Sequence, residues 1–356
     1  MTQTLSRTDR LLLAVAVVLV AGAAVTRYVD INSVLAFVLS GLTIAALASL
    51  VGRSVDQLGD RLGAGATGVL QSALGNLPEL FVCIFALRAG LTKVVEAAVI
   101  GSILGNVLLV LGLAFLVGGL RNGVQRFDSE RARVISAMML LAVIAMLLPS
   151  LAFQLHTPAA SHERGLSVFA AIVLLLVFVC SVPSSIRRSG AEPDGRQAHE
   201  DEERWPLPLA VGMLAVTGVL AAFVSDWFIH ALEPAIGALH ISQAFAGLVI
   251  VAIAGNAVEN VVGIQLAARN QADYALSVIL NSPLQIALVL APLLVLLSFV
   301  VGGAAFVLVF PPLLIATVVA AVLAVSFIII DGESVWLEGA ALVGVYGVIA
   351  ASFWWG

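Results

Sequence analysis

Gly75-Asn76-Leu77-Pro78-Glu79 and Gly255-Asn256-Ala257-Val258-Glu259 stand 180 residues apart in a chain that is otherwise almost pure hydrocarbon. Each sets a carboxylate inside an apolar stretch long enough to cross a bilayer. A charge at the bilayer centre costs about 2.5–3.5 kcal/mol on insertion scales, and residues that bear this cost mark ion pathways and proton relays. Two such carboxylates in matching frames point to a shared ion site.

The composition agrees with a membrane setting. Of 356 residues, 61% are hydrophobic and 11% charged, which excludes an ordinary soluble domain. Charged or Pro/Gly-rich breaks separate eleven apolar runs, near residues 10–27, 32–52, 66–88, 92–119, 129–154, 163–186, 206–230, 242–268, 272–300, 303–328 and 334–355. A transmembrane helix needs about 20 mainly apolar residues. The other spanning solution, a closed β-barrel, requires an alternation that these runs lack. The expected fold class is an all-α polytopic membrane protein with eleven transmembrane helices. The first run has the apolarity of a signal peptide, but Arg27 at its end and the many later spans favour a retained helix.

Positive charge orients the chain. With a cytoplasmic N-terminus and eleven spans, 13 of the 17 Lys and Arg residues fall on the cytoplasmic side, and Arg27, Arg88, Lys93 and Arg164 fall outside. The positive-inside rule then gives N-in, C-out, with the cell (plasma) membrane as the expected location and lipid as the surrounding partner. The net charge of −5 says little about other partners, and no basic cluster suits nucleic acid. Oligomeric state stays open, a homo-oligomer included. Cys83 and Cys180 both fall inside apolar runs, where they read as small buried hydrophobes rather than a disulfide.

The cassettes belong to a longer internal repeat. At the same offset of 180, Val82 meets Val262, Ile84 meets Ile264, Ser102 meets Ser282, Leu104 meets Leu284 and Leu108 meets Leu288. Two consecutive helices match in each half, and because the polar residues coincide, shared hydropathy alone is a poor explanation. Five helices separate equivalent elements, so the halves enter the membrane in opposite senses. Inverted repeats of this kind characterise secondary transporters, whose sites lie near the midplane at the repeat interface. The expected organisation is an N-terminal helix (1–30), a first five-helix repeat (31–186), a cytoplasmic linker (187–205) and a second five-helix repeat (206–356). The linker carries His199-Glu200-Asp201-Glu202-Glu203, a charge run that reads as a solvated connection.

The chemistry of the cassettes follows from spacing. Asn76 and Glu79, like Asn256 and Glu259, are three residues apart and share a helix face. Gly75 and Gly255 let a neighbour or an ion approach the backbone, and Pro78 frees a carbonyl and can kink its helix. Ser102 and Asn106, with Asn281, Ser282 and Gln285, offer further oxygens on the following helices. These are hard ligands suited to Ca²⁺, and two carboxylates balance one divalent ion or take up two protons instead. Competition for the same groups is the minimum needed for exchange. No cofactor is implied. Helix-packing polar contacts are the bland alternative for the Asn and Ser residues. Glu96, beside Lys93, and Asp226 and Glu233 read as interfacial charges, and none of the five His residues is expected to be a ligand.

At these residues the chain resembles the cation/proton exchangers of the Ca²⁺:cation antiporter superfamily. The first cassette with Gly101-Ser102-Ile103-Leu104-Gly105-Asn106 is similar to that family's first signature, and Gly118-Gly119 with Gln125-Arg126-Phe127 is similar to its continuation. Asp331-Gly332-Glu333-Ser334-Val335-Trp336-Leu337-Glu338-Gly339 resembles the last-helix motif. The resemblance implies one helix plus two inverted five-helix repeats, with Glu79 and Glu259 as the exchanging carboxylates beside Asn76 and Asn256. It also implies export of cytosolic Ca²⁺ against entering protons. Two departures bear on ion preference and pH coupling: Asn260 stands where the family commonly has His, and Asn281-Ser282-Pro283-Leu284-Gln285 replaces a Gly-Ser-Ser-Thr-Gln pattern.

The expected function is a Ca²⁺/H⁺ antiporter working by alternating access, with a Na⁺(K⁺)/H⁺ or Na⁺/Ca²⁺ exchanger on the same repeats as the rival. An enzyme is not expected: the chain has no nucleotide-binding Gly-x-x-x-x-Gly-Lys-Ser/Thr run and no mid-span Asp pair for an intramembrane protease. A passive channel would differ in lacking coupled proton movement.

Overall fold

The structure, a computed structural model, describes residues 5–29, 32–62, 74–189 and 205–355. Its helices are α1 (Arg7–Tyr28), α2 (Ser33–Leu62), α3 (Leu77–Arg88), α4 (Thr92–Asn122), α5 (Ser129–Gln154) and α6 (Glu163–Ser189). After the linker come α7 (Leu207–Leu239), α8 (Gln243–Gly255), α9 (Ala257–Ala268), α10 (Ala272–Val301), α11 (Pro312–Ile328) and α12 (Trp336–Ser352). Among the described residues, seven helices are long and apolar enough to cross a membrane, or eight when the bent pair α8–α9 counts as one span. The acidic run of the linker lies outside the described residues.

Capping chemistry starts several helices where the sequence supplies a side-chain acceptor. The Ser6 hydroxyl and Asp9 carboxylate exchange backbone N–H bonds at the head of α1, Asn32 accepts from Val34 N at 2.9 Å at α2, and Ser242 accepts from Phe245 N at 2.9 Å at α8. Each satisfies donors that a helix start otherwise leaves unpaired.

One compact unit comprises Met1–Phe85 and Leu176–Leu239. Within it α2 runs along α7, with Phe37 stacked on Phe228 at 4.9 Å, and α1 lies against α2, where the Thr43 hydroxyl donates to the Leu19 carbonyl at 3.1 Å. Asp9, 3% exposed, binds Arg53 Nε at 2.9 Å and accepts from the indole of Trp205 at 3.1 Å. The Trp205 backbone donates to Gln57 at 2.8 Å and accepts from Arg61, so α7 enters the fold from a polar knot centred on the fully buried Trp205.

A second compact unit comprises Ala86–Leu175 and His240–Gly356. These two units cut across the two sequence halves. Here α4 is the central, most buried helix, its Ile100, Ile103, Leu104, Leu108 and Leu111 fully enclosed. α4 crosses α8 with backbone touching backbone: a Cβ on Gly101 would lie 2.3 Å from the Leu248 carbonyl oxygen, and one on Gly247 would lie 2.3 Å from that of Val94. Only glycine permits that approach. A short antiparallel ribbon pairs β1 (Gln125–Arg126) with β2 (Glu333–Ser334), in the register Gln125 to Ser334 and Arg126 to Glu333.

Three expectations are corrected. The run 242–268 is not one helix, because it breaks at Asn256 and its two arms differ in direction by 64°. The run 303–328 is helical only from Pro312. Before it, Gly302 (φ +78°) and Gly303 (φ +99°) turn the chain into a buried, non-helical segment. Hydroxyl groups satisfy its backbone: Ser150 accepts from Phe310 N at 2.9 Å and donates to the Leu308 carbonyl at 2.8 Å, while Ser167 accepts from Leu308 N at 3.0 Å. Non-helical backbone is tolerated at membrane depth when it is enclosed by protein and paired in this way. Cys180 is exposed rather than buried, on the outward face of α6, while Cys83 is buried as expected.

Candidate functional site

The first cassette sits at a helix start, and the second at a helix interruption. In the first, Gly75 and Asn76 form a turn and α3 begins at Leu77. In the second, Gly255 ends α8, Asn256 (φ −103°, ψ 20°) occupies the sparsely populated bridge region, and α9 begins at Ala257. The asparagine carbonyls accept the first α-helical bonds, from Leu80 N at 2.9 Å and Asn260 N at 3.1 Å. Glu79 and Glu259 therefore both occupy the third position of a new helix, near its positive end. The second cassette breaks without a proline. The Gly-Asn pair common to both directly precedes the helix start.

Glu79 is 1% exposed and Asn76 8% exposed, on one compact unit, and Asn76 Nδ2 has no hydrogen-bond partner among the described residues. The Glu259 side chain lies outside the described residues, although its backbone is part of α9.

On the other unit, four of the expected residues form one hydrogen-bonded chain. The Asn106 amide nitrogen donates to the Ser102 carbonyl at 2.8 Å and to the Ser282 hydroxyl at 3.2 Å. Ser282 donates to Asn256 Oδ1 at 3.1 Å, and Asn256 Nδ2 donates to the Ala252 carbonyl at 3.0 Å. α4, α10 and the α8–α9 break are thereby joined at one place. Both Asn106 amide hydrogens are used, and its buried Oδ1 is an acceptor without a partner among the described residues.

Local backbone geometry marks the same place. α4 widens into a π-helical turn at Gly105–Val110 and α10 at Ile286–Leu290, and the two turns end 180 residues apart. A third lies in α8 at Ala246–Val251. Such turns inside α-helices frequently accompany functional sites. Pro283 cannot donate to the carbonyl one turn before it, which further loosens α10 beside Ser282.

Not every expected oxygen joins this chain. Asn281 is exposed, and Gln285 is half-buried and outside the hydrogen-bonded chain. Gly75 and Gly255 flank the breaks and are half-buried. One residue gains a role that the pattern comparison hid: Asn260 lies four residues, one helical turn, beyond Asn256, with a buried and unpartnered Oδ1. That spacing was the available signal.

The oxygens of this hydrogen-bonded chain form a hard donor set rather than a soft one, suited to a cation that sheds water for carbonyl and hydroxyl oxygen. The family model described as sodium/calcium exchanger protein matches residues 32–186 and 209–355. The chain belongs to that family. Within the family, it is a member of the cation/proton exchanger branch. This exchanger is 34% identical over 337 residues to the Ca(2+)/H(+) antiporter of Synechocystis sp., covering 89% of this chain and 90% of the relative. It is 35% identical over 326 residues to the Ca(2+)/H(+) antiporter ChaA of Bacillus subtilis, covering 90% and 92%. The solved structure of native YfkE matches it with a TM-score of 0.80 at 33% identity, over 97% of this chain and 98% of that one.

Proposed function

We propose that the chain is a secondary active transporter that exports cytosolic Ca²⁺ in exchange for protons by alternating access. The observation that carries this reading is the pair of glutamates, each at the third position of a helix that starts directly after a Gly-Asn pair, the second of them at a broken span. Discontinuous helices of this kind bind the substrate and coupling ions of secondary transporters. The similarity to relatives named Ca(2+)/H(+) antiporters supports the choice of ions.

Glu79 and Glu259 are the exchanging carboxylates. Together they balance the two charges of Ca²⁺, or they take up protons and release it. Asn76, Asn256, Ser102, Ser282 and Asn106 complete the cation's oxygen shell with backbone carbonyls freed at Gly75 and Gly255, and Gln285 serves at its edge. No resident cofactor takes part. The chain forms eleven spans as one helix plus inverted five-helix repeats, lies in the cell membrane, and has a cytoplasmic N-terminus. The two blocks matched by the family model, on either side of the linker, and the π-helical turns ending 180 residues apart support the repeat.

Reconstitution into liposomes tests the function. An imposed pH gradient, acid on the side opposite Ca²⁺, drives Ca²⁺ movement in the absence of Na⁺. Movement that requires Na⁺ and ignores the pH gradient rejects the proton reading.

A further inference from the structure

Two cavities follow one continuous stripe along α1 and α7. The first, about 590 Å³, is lined by Leu13, Val17, Val20 and Ala24 of α1 and by residues such as Gly212 and Val216 of α7. Its one hydroxyl, that of Thr217, already donates to the Met213 carbonyl at 2.7 Å. The second cavity, about 470 Å³, begins one turn further along and is polar, lined by Arg27, Ser33, Ser40, Trp227 and His230 among others. Ala24 and Arg27 are three residues apart on α1, and Leu220 and Trp227 are seven apart on α7, so each helix carries both cavities on one face. Both volumes fall in the ligand-sized range of about 300–1,000 Å³.

The polar cavity is rich in donors. The Arg27 guanidinium brings a planar fork of N–H groups and the Trp227 indole is donor-only. The start of α2 at Ser33 adds the positive end of a 30-residue helix. Ser40, 1% exposed, also lines this cavity and adds a hydroxyl. Tyr28 meets Trp227 edge-on at 6.3 Å, an aromatic pair of the type found at headgroup level.

We propose that α1 and α7 hold one membrane phospholipid, with its phosphate in the polar cavity and an acyl chain lying down the apolar groove. The dimensions fit a single leaflet. Leu13 to Ala24 covers about 16 Å at 1.5 Å per residue, against about 30 Å for the whole hydrocarbon core. A free anion leaves the groove unused, and a second protein copy has no use for the buried donors at its end.

The experiment uses the purified full chain, stripped of lipid in detergent and resupplied with phosphatidylglycerol, diacylglycerol of the same chains, or inorganic phosphate. Native mass spectrometry and thermal unfolding are the readouts. The wild type retains one phospholipid and is stabilised by phosphatidylglycerol, while neither diacylglycerol nor phosphate substitutes. Gly212→Leu fills the groove, where a Cβ meets nothing within 4 Å, and Arg27→Gln weakens the head site; each lowers phospholipid retention tenfold or more. Protection by phosphate alone, equal retention of diacylglycerol, or a lipid-free dimer overturns the proposal. If Gly212→Leu misfolds, wild-type retention by the folded Arg27→Gln protein is enough to reject it.

Discussion

Asn106, in the π-helical turn of α4, and Ser282, one turn before that of α10 and 176 residues away, share a 3.2 Å hydrogen bond. One hydrogen bond therefore ties a residue of the first half to a residue of the second, and Ser282 passes the connection to Asn256 at the α8–α9 break. Position 286, the equivalent of Asn106 at the repeat offset, is an isoleucine, so the polar load at this place is carried asymmetrically.

Asn106→Leu removes both the link and the unpartnered oxygen. Interhelical polar contacts in membranes contribute about 0.6 kcal/mol on average and up to about 1.7 kcal/mol, so the loss of stability is small. Ca²⁺ transport in liposomes is expected to fall tenfold or more. A drop in transport no larger than the drop in folded protein makes Asn106 a packing residue.

Asn260 supplies a buried acceptor one turn beyond Asn256. Asn260→Leu, of similar size and without the oxygen, is expected to raise the Ca²⁺ concentration for half-maximal transport severalfold at little cost in stability. Asn260→Asp restores an oxygen and retains substantial transport. An unchanged concentration dependence in the leucine variant removes Asn260 from the site.

The α4–α8 crossing is tight enough to be tested directly. Gly101→Ala sets a Cβ 2.3 Å from the Leu248 carbonyl oxygen, and backbone must move to admit it. Overpacking of this kind costs about 1–3 kcal/mol, which thermal unfolding in detergent reads as a lowered Tm. The adjacent Ser102 and the whole hydrogen-bonded chain shift with it, so transport falls too. A variant with wild-type Tm contradicts the crossing.

Much of this was legible in the sequence, for a physical reason. A carboxylate or amide in an apolar run is costly, so Glu79, Asn76, Asn106, Ser282 and Asn256 stand out without any structure. Hydropathy hid what depends on backbone pairing. The segment before Pro312 is as apolar as a helix, and only Gly302-Gly303, Pro311-Pro312 and two distant serines explain why it is not one. The break at Asn256 lacks a proline, so the Gly-Asn pair was read as ligand chemistry and not as punctuation. In the sequence Asn260 stands out only as a departure from a pattern, although it lies one helical turn from Asn256.

Ser150 makes the buried segment testable. Ser150→Ala leaves the Phe310 N–H and the Leu308 carbonyl without their hydroxyl partner. An unsatisfied buried group costs about 1–3 kcal/mol, so Tm falls measurably while the cation concentration for half-maximal transport is unchanged. Wild-type Tm argues that the segment is held by other contacts.

The exchanging carboxylates carry the central claim. Proteoliposomes loaded with a pH indicator, containing wild type, Glu79→Gln or Glu259→Gln, report Ca²⁺ and proton movement together. The account predicts coupled, opposite fluxes in the wild type and loss of both in each variant, with the variants still folded and inserted. Coupled fluxes at the wild-type rate in both glutamine variants contradict it.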